Sequence, residues 1–166
     1  IEAIIFEDDK SFLDKLLYAL DDENISVTCV AHTIKTAAEH IARLKTYPDV
    51  VLISLEMLRA AVAVDLEYIR GLRTKMHATR LIVIGDRCAE DGRISLAREG
   101  IHGFILRSEP VDKIVKCIRV VTAGEVWMDA QIVNNIFSEY AHLHRESGRH
   151  INPPTAEHHK RLEKLT

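Results

Sequence analysis

Aromatic residues and cysteines are scarce in this chain, and long apolar runs are missing altogether. Aromatics make up only 5% of the residues, with Trp127 the single tryptophan, and the three cysteines are Cys29, Cys88 and Cys117. An odd number of widely spaced cysteines in apolar segments excludes a disulfide framework and points to buried thiols in a reducing cytoplasm. No stretch approaches the ~18–20 apolar residues needed to cross a bilayer, and no charged-then-apolar leader opens the chain, so no membrane association is expected. An excess of basic charge is missing too. Lys and Arg number 22 against 25 Asp and Glu, a net charge of −3. A domain that binds DNA unaided usually carries a basic face, so these residues are not expected to bind DNA alone. The nine histidines include His142, His144, His150, His158 and His159. They lie in a polar tail without regular ligand spacing, and no metal site is expected there.

What remains is an ordinary globular composition, 166 residues with 47% hydrophobic and 28% charged. That is enough for one domain with a real core and little left over. The opening at Ile1 rather than Met is read as the start of a piece of a longer protein.

Short apolar runs alternate with helical patterns. Ala3-Ile4-Ile5-Phe6 ends abruptly in Glu7-Asp8-Asp9, and Phe12, Leu16 and Leu20 then recur at helical spacing, with Leu13 and Leu17 beside them. Ile25 to Ala31 reads as a second strand. Thr33 is the expected N-cap of a helix whose face carries Ala37, Ala38, Ile41 and Leu44. After Tyr47-Pro48-Asp49, Val50-Val51-Leu52-Ile53 is apolar at every position, as a strand covered on both faces must be. Leu66, Ile69 and Leu72 mark a third helix and Leu81 to Ile84 a fourth strand. Ile94, Ala97 and Ile101 are assigned to a fourth helix and Gly103 to Leu106 to a fifth strand. Pro110 to Ala123 before Gly124 forms a fifth helix with Ile114, Ile118 and Val121 on one face. Ile132, Val133, Ile136, Phe137 and Tyr140 suggest a sixth, which serves either as a partner surface or as a cap.

Strands alternating with helices imply an α/β fold, a doubly wound five-stranded parallel sheet in the order 2-1-3-4-5, with an extra C-terminal helix. Ligands in such sheets bind beyond the carboxyl ends of the strands. Those ends are Glu7-Asp8 on strand one, Ser54 on strand three, Gly85 on strand four and Arg107 on strand five.

Here the sequence resembles a known family. IIFEDDKSF resembles the opening of response-regulator receiver domains (CheY-like), where paired acids hold magnesium. PDVVLISLEM resembles their third-strand segment PDVVLLDLxMP, REGIHGFILR the stretch leading to the family's lysine, and VVTAGEVWM the end of its fifth helix. The last two are most similar to the NarL/LuxR-type transcriptional regulators. The resemblance implies a receiver-like domain over residues 1–128 and an additional helix over 129–145. Residues 146–166 are then a linker, broken at Asn152-Pro153-Pro154, and the start of a truncated helix-turn-helix output domain, with Arg161 to Thr166 resembling its first residues.

Family chemistry needs a carboxylate nucleophile, a magnesium ion to neutralise the incoming phosphoryl group, a hydroxyl at the end of strand four and a lysine on strand five. This chain keeps the acids and changes the rest. Ser54 stands in place of the phosphoacceptor aspartate, and no general base is evident beside it. Gly85 replaces the hydroxyl residue, and Arg107 the lysine, with the same charge in a different shape. Leu58 replaces a proline, and the loop Arg59 to Val64 is longer than the family's by roughly three residues. Magnesium at Glu7 and Asp8 is weakened by the lost third carboxylate. The preferred reading pairs both acids with Arg107, and no cofactor is expected. Ser54 is read as a packing residue. Phe104 matches the family's switch aromatic, with a fixed core residue as the plainer reading, and Trp127 is read as a packing anchor.

The resulting expectation is a cytoplasmic, non-enzymatic pseudo-receiver of a DNA-binding response regulator. It would act as a homodimer, through the first and fifth helices or the face of the fourth helix, fifth strand and fifth helix, or through a regulatory partner or sensor kinase. DNA would be bound only by a C-terminal domain that these residues lack. A conventional phosphoacceptor in a two-component phosphorelay is the first alternative, and a flavodoxin-like small-ligand module the second.

Overall fold

The computed structural model describes residues 1–60 and 63–146. The linker, the helix-turn-helix start and His150, His158 and His159 lie outside the described residues. Two compact units are present, Ile1–Trp127 and a second beginning at Met128.

In the first unit the β-branched runs become strands because burial on both faces favours residues without polar side chains. They are β1 (Glu2–Phe6), β2 (Ser26–Ala31), β3 (Val50–Ser54), β6 (Arg80–Gly85) and β7 (Gly103–Leu106), hydrogen-bonded in the order β2-β1-β3-β6-β7. Every pairing in this sheet is parallel. Counted along the chain, this is the doubly wound 2-1-3-4-5 order that the sequence implies. All five residues of β3 are buried, as are Ala3 to Phe6 and Leu81 to Gly85, so the core is centred on the three middle strands.

The connections are α1 (Lys10–Asp22), α2 (Ile34–Arg43), α4 (Leu66–Lys75), α5 (Glu90–Arg98) and α6 (Val111–Thr122). Asp9 caps α1 by accepting the Phe12 N–H at 3.0 Å. Thr33 caps α2 in a reciprocal box with Thr36, as its sequence position implies. Pro110 opens α6, and Gly124 follows its end at φ 100°, a conformation that glycine adopts without strain. α1 and α6 are tied by Arg119 and Glu23 at 2.8 Å, and α4 and α5 by Arg70 and Glu99 at 2.6 Å.

Three local expectations need correction. On α2, Ala37 and Ile41 are buried but Ala38 is exposed, so the apolar face is narrower. On α5 the buried side chain is Leu96, whereas Ile94 and Ala97 are half-exposed. Ile101 is buried but lies past the helix, which stops at Arg98 before Gly100 at φ 90°. Of the cysteines only Cys117 is fully buried; Cys29 and Cys88 are half-buried, and all three are free.

The stretch after β3 is not a plain loop. It holds a short helix, α3 (Leu55–Leu58), followed by β4 (Arg59–Ala60) and β5 (Ala63–Val64), which pair antiparallel. The Asp65 N–H donates to the Leu58 carbonyl at 2.7 Å and closes the base of this insertion. Trp127 extends the far edge of the sheet, since its N–H donates to His102 O and its carbonyl accepts from Phe104 N, both at 2.9 Å. Trp127 as a whole is 9% exposed, in line with the packing role expected of it.

In the second unit, α7 (Ala130–Glu146) carries a buried Ile132 and exposed Tyr140 and Leu143. The Tyr140 and His144 rings meet at a tilt of 56°, with centroids 4.2 Å apart. Among the described residues no helix is long and apolar enough to cross a membrane.

Candidate functional site

Parallel strands bring their carboxyl ends to one edge of the sheet, and the sequence places Glu7, Ser54, Gly85 and Arg107 at four of those ends. Arg107 is the hub. Its Nη2 donates to Glu7 Oε1 at 2.9 Å, Glu56 Oε2 at 3.1 Å and Ser54 Oγ at 3.2 Å. Asp86 faces its Nη1 at 3.5 Å, and Asp8 lies 4.0 Å from Nη2. The guanidinium carbon sits 5.5 Å from the centre of the Phe12 ring, within cation–π range. The side chain is only 12% exposed. Burial works against its charge, but the surrounding carboxylates of Glu7, Glu56, Asp86 and Asp8 outweigh burial and hold the guanidinium protonated.

Glu7 is buried, and burial pushes its carboxyl up to about 7, against the pull of the Asp9 N–H at 2.9 Å and of Arg107. Its backbone carbonyl meets His32 Nδ1 at 2.8 Å.

The Ser54 hydroxyl is fully engaged. It donates to Asp8 Oδ1 at 3.0 Å, with Glu56 Oε2 a second acceptor at 3.3 Å. It accepts from Arg107 and, as the cap of α3, from the Met57 N–H at 3.4 Å. The sequence showed no base beside Ser54. The structure corrects this, since the Asp8 carboxylate accepts the hydrogen bond of its O–H. Both lone pairs of the oxygen are nonetheless occupied by donors, which leaves none directed at an incoming electrophile.

Gly85 has no spare space. A Cβ at this position would lie 2.7 Å from the Leu55 Cβ and 2.8 Å from its Cδ2. Phe104 is half-buried on β7, its N–H held by Trp127.

Magnesium fits this arrangement poorly. The cation's place beside Glu7 and Asp8 holds the Arg107 guanidinium, and β3 ends in a neutral hydroxyl. Among the described residues no group of three or more His, Cys, Asp or Glu is disposed to hold a metal ion.

No protein-family model matches the chain. A nitrate/nitrite response regulator protein homolog from Haemophilus influenzae is 27% identical over 121 residues, which cover 72% of this chain and 55% of that protein. The chain thus spans about half the length of the curated relative it matches. Among solved structures, a LuxR-family two-component response regulator from Aurantimonas superposes with a TM-score of 0.67 at 18% identity, over 84% of this chain and 97% of that one. The isolated receiver domain of RcsB from Salmonella enterica, solved with the phosphomimetic BeF3−, gives 0.67 at 14% identity, over 81% and 96%.

The fold is the response-regulator receiver fold. Its solved neighbours include a LuxR-family response regulator and an isolated receiver domain, the kinds of protein that the sequence motifs resemble. Within this receiver fold, sequence reasoning missed two site residues, Glu56 and Asp86. Each follows a strand-end residue that was noticed, by two positions and by one, and that adjacency was the available signal.

Proposed function

We propose that the chain is a pseudo-receiver of a LuxR/NarL-type DNA-binding response regulator, working in signal transduction and transcription regulation without accepting a phosphoryl group. The observation that carries this reading is Ser54, at the end of β3, with its hydroxyl saturated by Asp8, Arg107 and Met57. A phosphoacceptor at this strand end must be a free carboxylate, and here the carboxylates just past the strands, Glu7 and Asp8 after β1, Glu56 after β3 and Asp86 after β6, all face the Arg107 guanidinium. Output then comes from a surface, presented to a second copy of the chain or to a regulatory protein, with DNA contacted by a domain beyond these residues. In this reading the domain is not an enzyme.

Incubation with acetyl phosphate and magnesium, followed by intact-mass measurement, tests it. No adduct is expected on the native chain. A stoichiometric gain of one phosphoryl group would overturn the reading and favour a conventional phosphorelay receiver.

A further inference from the structure

The turn that follows β6 is gripped at three successive residues, each by a different contact. At Gly85, the Leu55 side chain fills the space above the backbone, and the Gly85 carbonyl accepts the Arg107 N–H at 3.0 Å. At Asp86, the carboxylate faces the Arg107 guanidinium at 3.5 Å. At Arg87, the carbonyl accepts from Arg59 Nη2 at 2.8 Å, and Arg59 stands at the start of β4, in the segment between β3 and α4. Steric contact, a backbone hydrogen bond, an ion pair and a charge-assisted bond thus converge on one short segment.

We propose that these contacts hold the turn between β6 and α5 in one position, so that the domain presents a fixed surface instead of a switched one. The inference rests on the reading above that no phosphoryl group enters the pocket. A switch needs two arrangements of comparable free energy and a ligand that prefers one of them. Here a ligand finds no donor side chain at position 85, and no room for one. The cation that would follow it, Arg107, is already committed to Glu7, Glu56, Ser54 and Asp86. The chain supplies from its own residues the contacts that a ligand would otherwise provide. Arg59 ties the turn to the segment after β3 from an exposed side chain, and the buried Arg107 ties it to the pocket.

Relaxation-dispersion NMR of the 85–89 amides tests this on the whole chain, comparing native protein with Arg59→Gln and Arg107→Met. The expected result is no millisecond exchange broadening in the native chain and its appearance at Asp86, Arg87 and Cys88 in both variants. Should Arg107→Met fail to fold, Arg59→Gln, altered only at an exposed side chain, decides the matter. Exchange already present in the native chain, or a folded Arg59→Gln with none, overturns the proposal. A phosphoryl adduct in the mass experiment would instead strike the underlying reading, so the two failures are distinguishable.

Discussion

Leu55 and Gly85 share one space at the end of the sheet. Leu55 is the first residue of α3, carried into the core by a helix that starts directly after Ser54, and it is wholly buried. Its Cβ and Cδ2 lie 2.7 and 2.8 Å from where a Cβ on Gly85 would stand. The departure from the family pattern at position 85 is therefore coupled to the packing that follows position 54.

Restoring a hydroxyl by Gly85→Thr should destabilise the domain by about 1–3 kcal/mol, the usual cost of overpacking. Leu55→Ala alone should cost about 2–5 kcal/mol through its cavity. In the Leu55→Ala background, which clears the Cγ and Cδ2 contacts but keeps the Cβ one, the added cost of Gly85→Thr should shrink in part, by about 1 kcal/mol. Denaturant unfolding of the four proteins measures this coupling, and strictly additive values would mean that the two residues do not compete.

Arg107→Met leaves Glu7, Asp8, Glu56 and Asp86 crowded without their cation. Removing one partner of a buried charge cluster costs about 3–5 kcal/mol. Millimolar magnesium should then recover part of the loss, raising the melting temperature of the variant and leaving that of the native chain unchanged. A variant indifferent to magnesium would show that the carboxylates do not converge on a common centre.

His102 makes the domain sensitive to acid. Burial, with Arg73 and Arg80 nearby, pushes its ring down to about 4 from the ordinary 6.5, and the neutral ring accepts the Leu81 N–H at 3.1 Å. The unfolded ring takes up a proton near 6.5 and the folded one only near 4, so its contribution is full above 6.5 and is lost as pH falls towards 4. Glu7 runs the other way. Its raised carboxyl favours the folded state below 4.5, and that advantage is lost as pH rises through about 7. Comparing native protein with His102→Asn separates the two. Between pH 6.5 and 4 the native chain should lose on the order of 2 kcal/mol more than the variant, and parallel pH profiles would rule this out.

Thr33→Ala removes the half of the α2 capping box in which the Thr33 hydroxyl accepts the Thr36 N–H, and should cost about 1 kcal/mol in chemical unfolding. Thr33→Ser should be nearly silent.

The fold was legible because β1, β3 and β6 are buried on both faces, and such strands write themselves as unbroken apolar runs. Ends of strands are equally visible, so Glu7, Ser54, Gly85 and Arg107 could be named from position alone. The helices near the edge were less readable. α5 is a short polar helix with Gly92 inside it, and Ile94, Ala97 and Ile101 offered a false stripe beside the one buried residue, Leu96. Glu56 and Asp86 escaped notice because a residue just past a strand has no periodicity to announce its direction. Glu56 reaches Arg107 only because α3 begins at Leu55, and no sequence pattern foretells a helix of four residues.

In the proposed reading, Arg107 holds the place that a metal ion and a phosphoryl group take in a working receiver. An amide NMR titration of the native chain with magnesium and beryllofluoride tests it most directly, read at Asp8, Ser54, Gly85 and Arg107. These four resonances are expected to stay in place up to millimolar concentrations of both. Saturable shifts at Ser54 and Gly85 would contradict it.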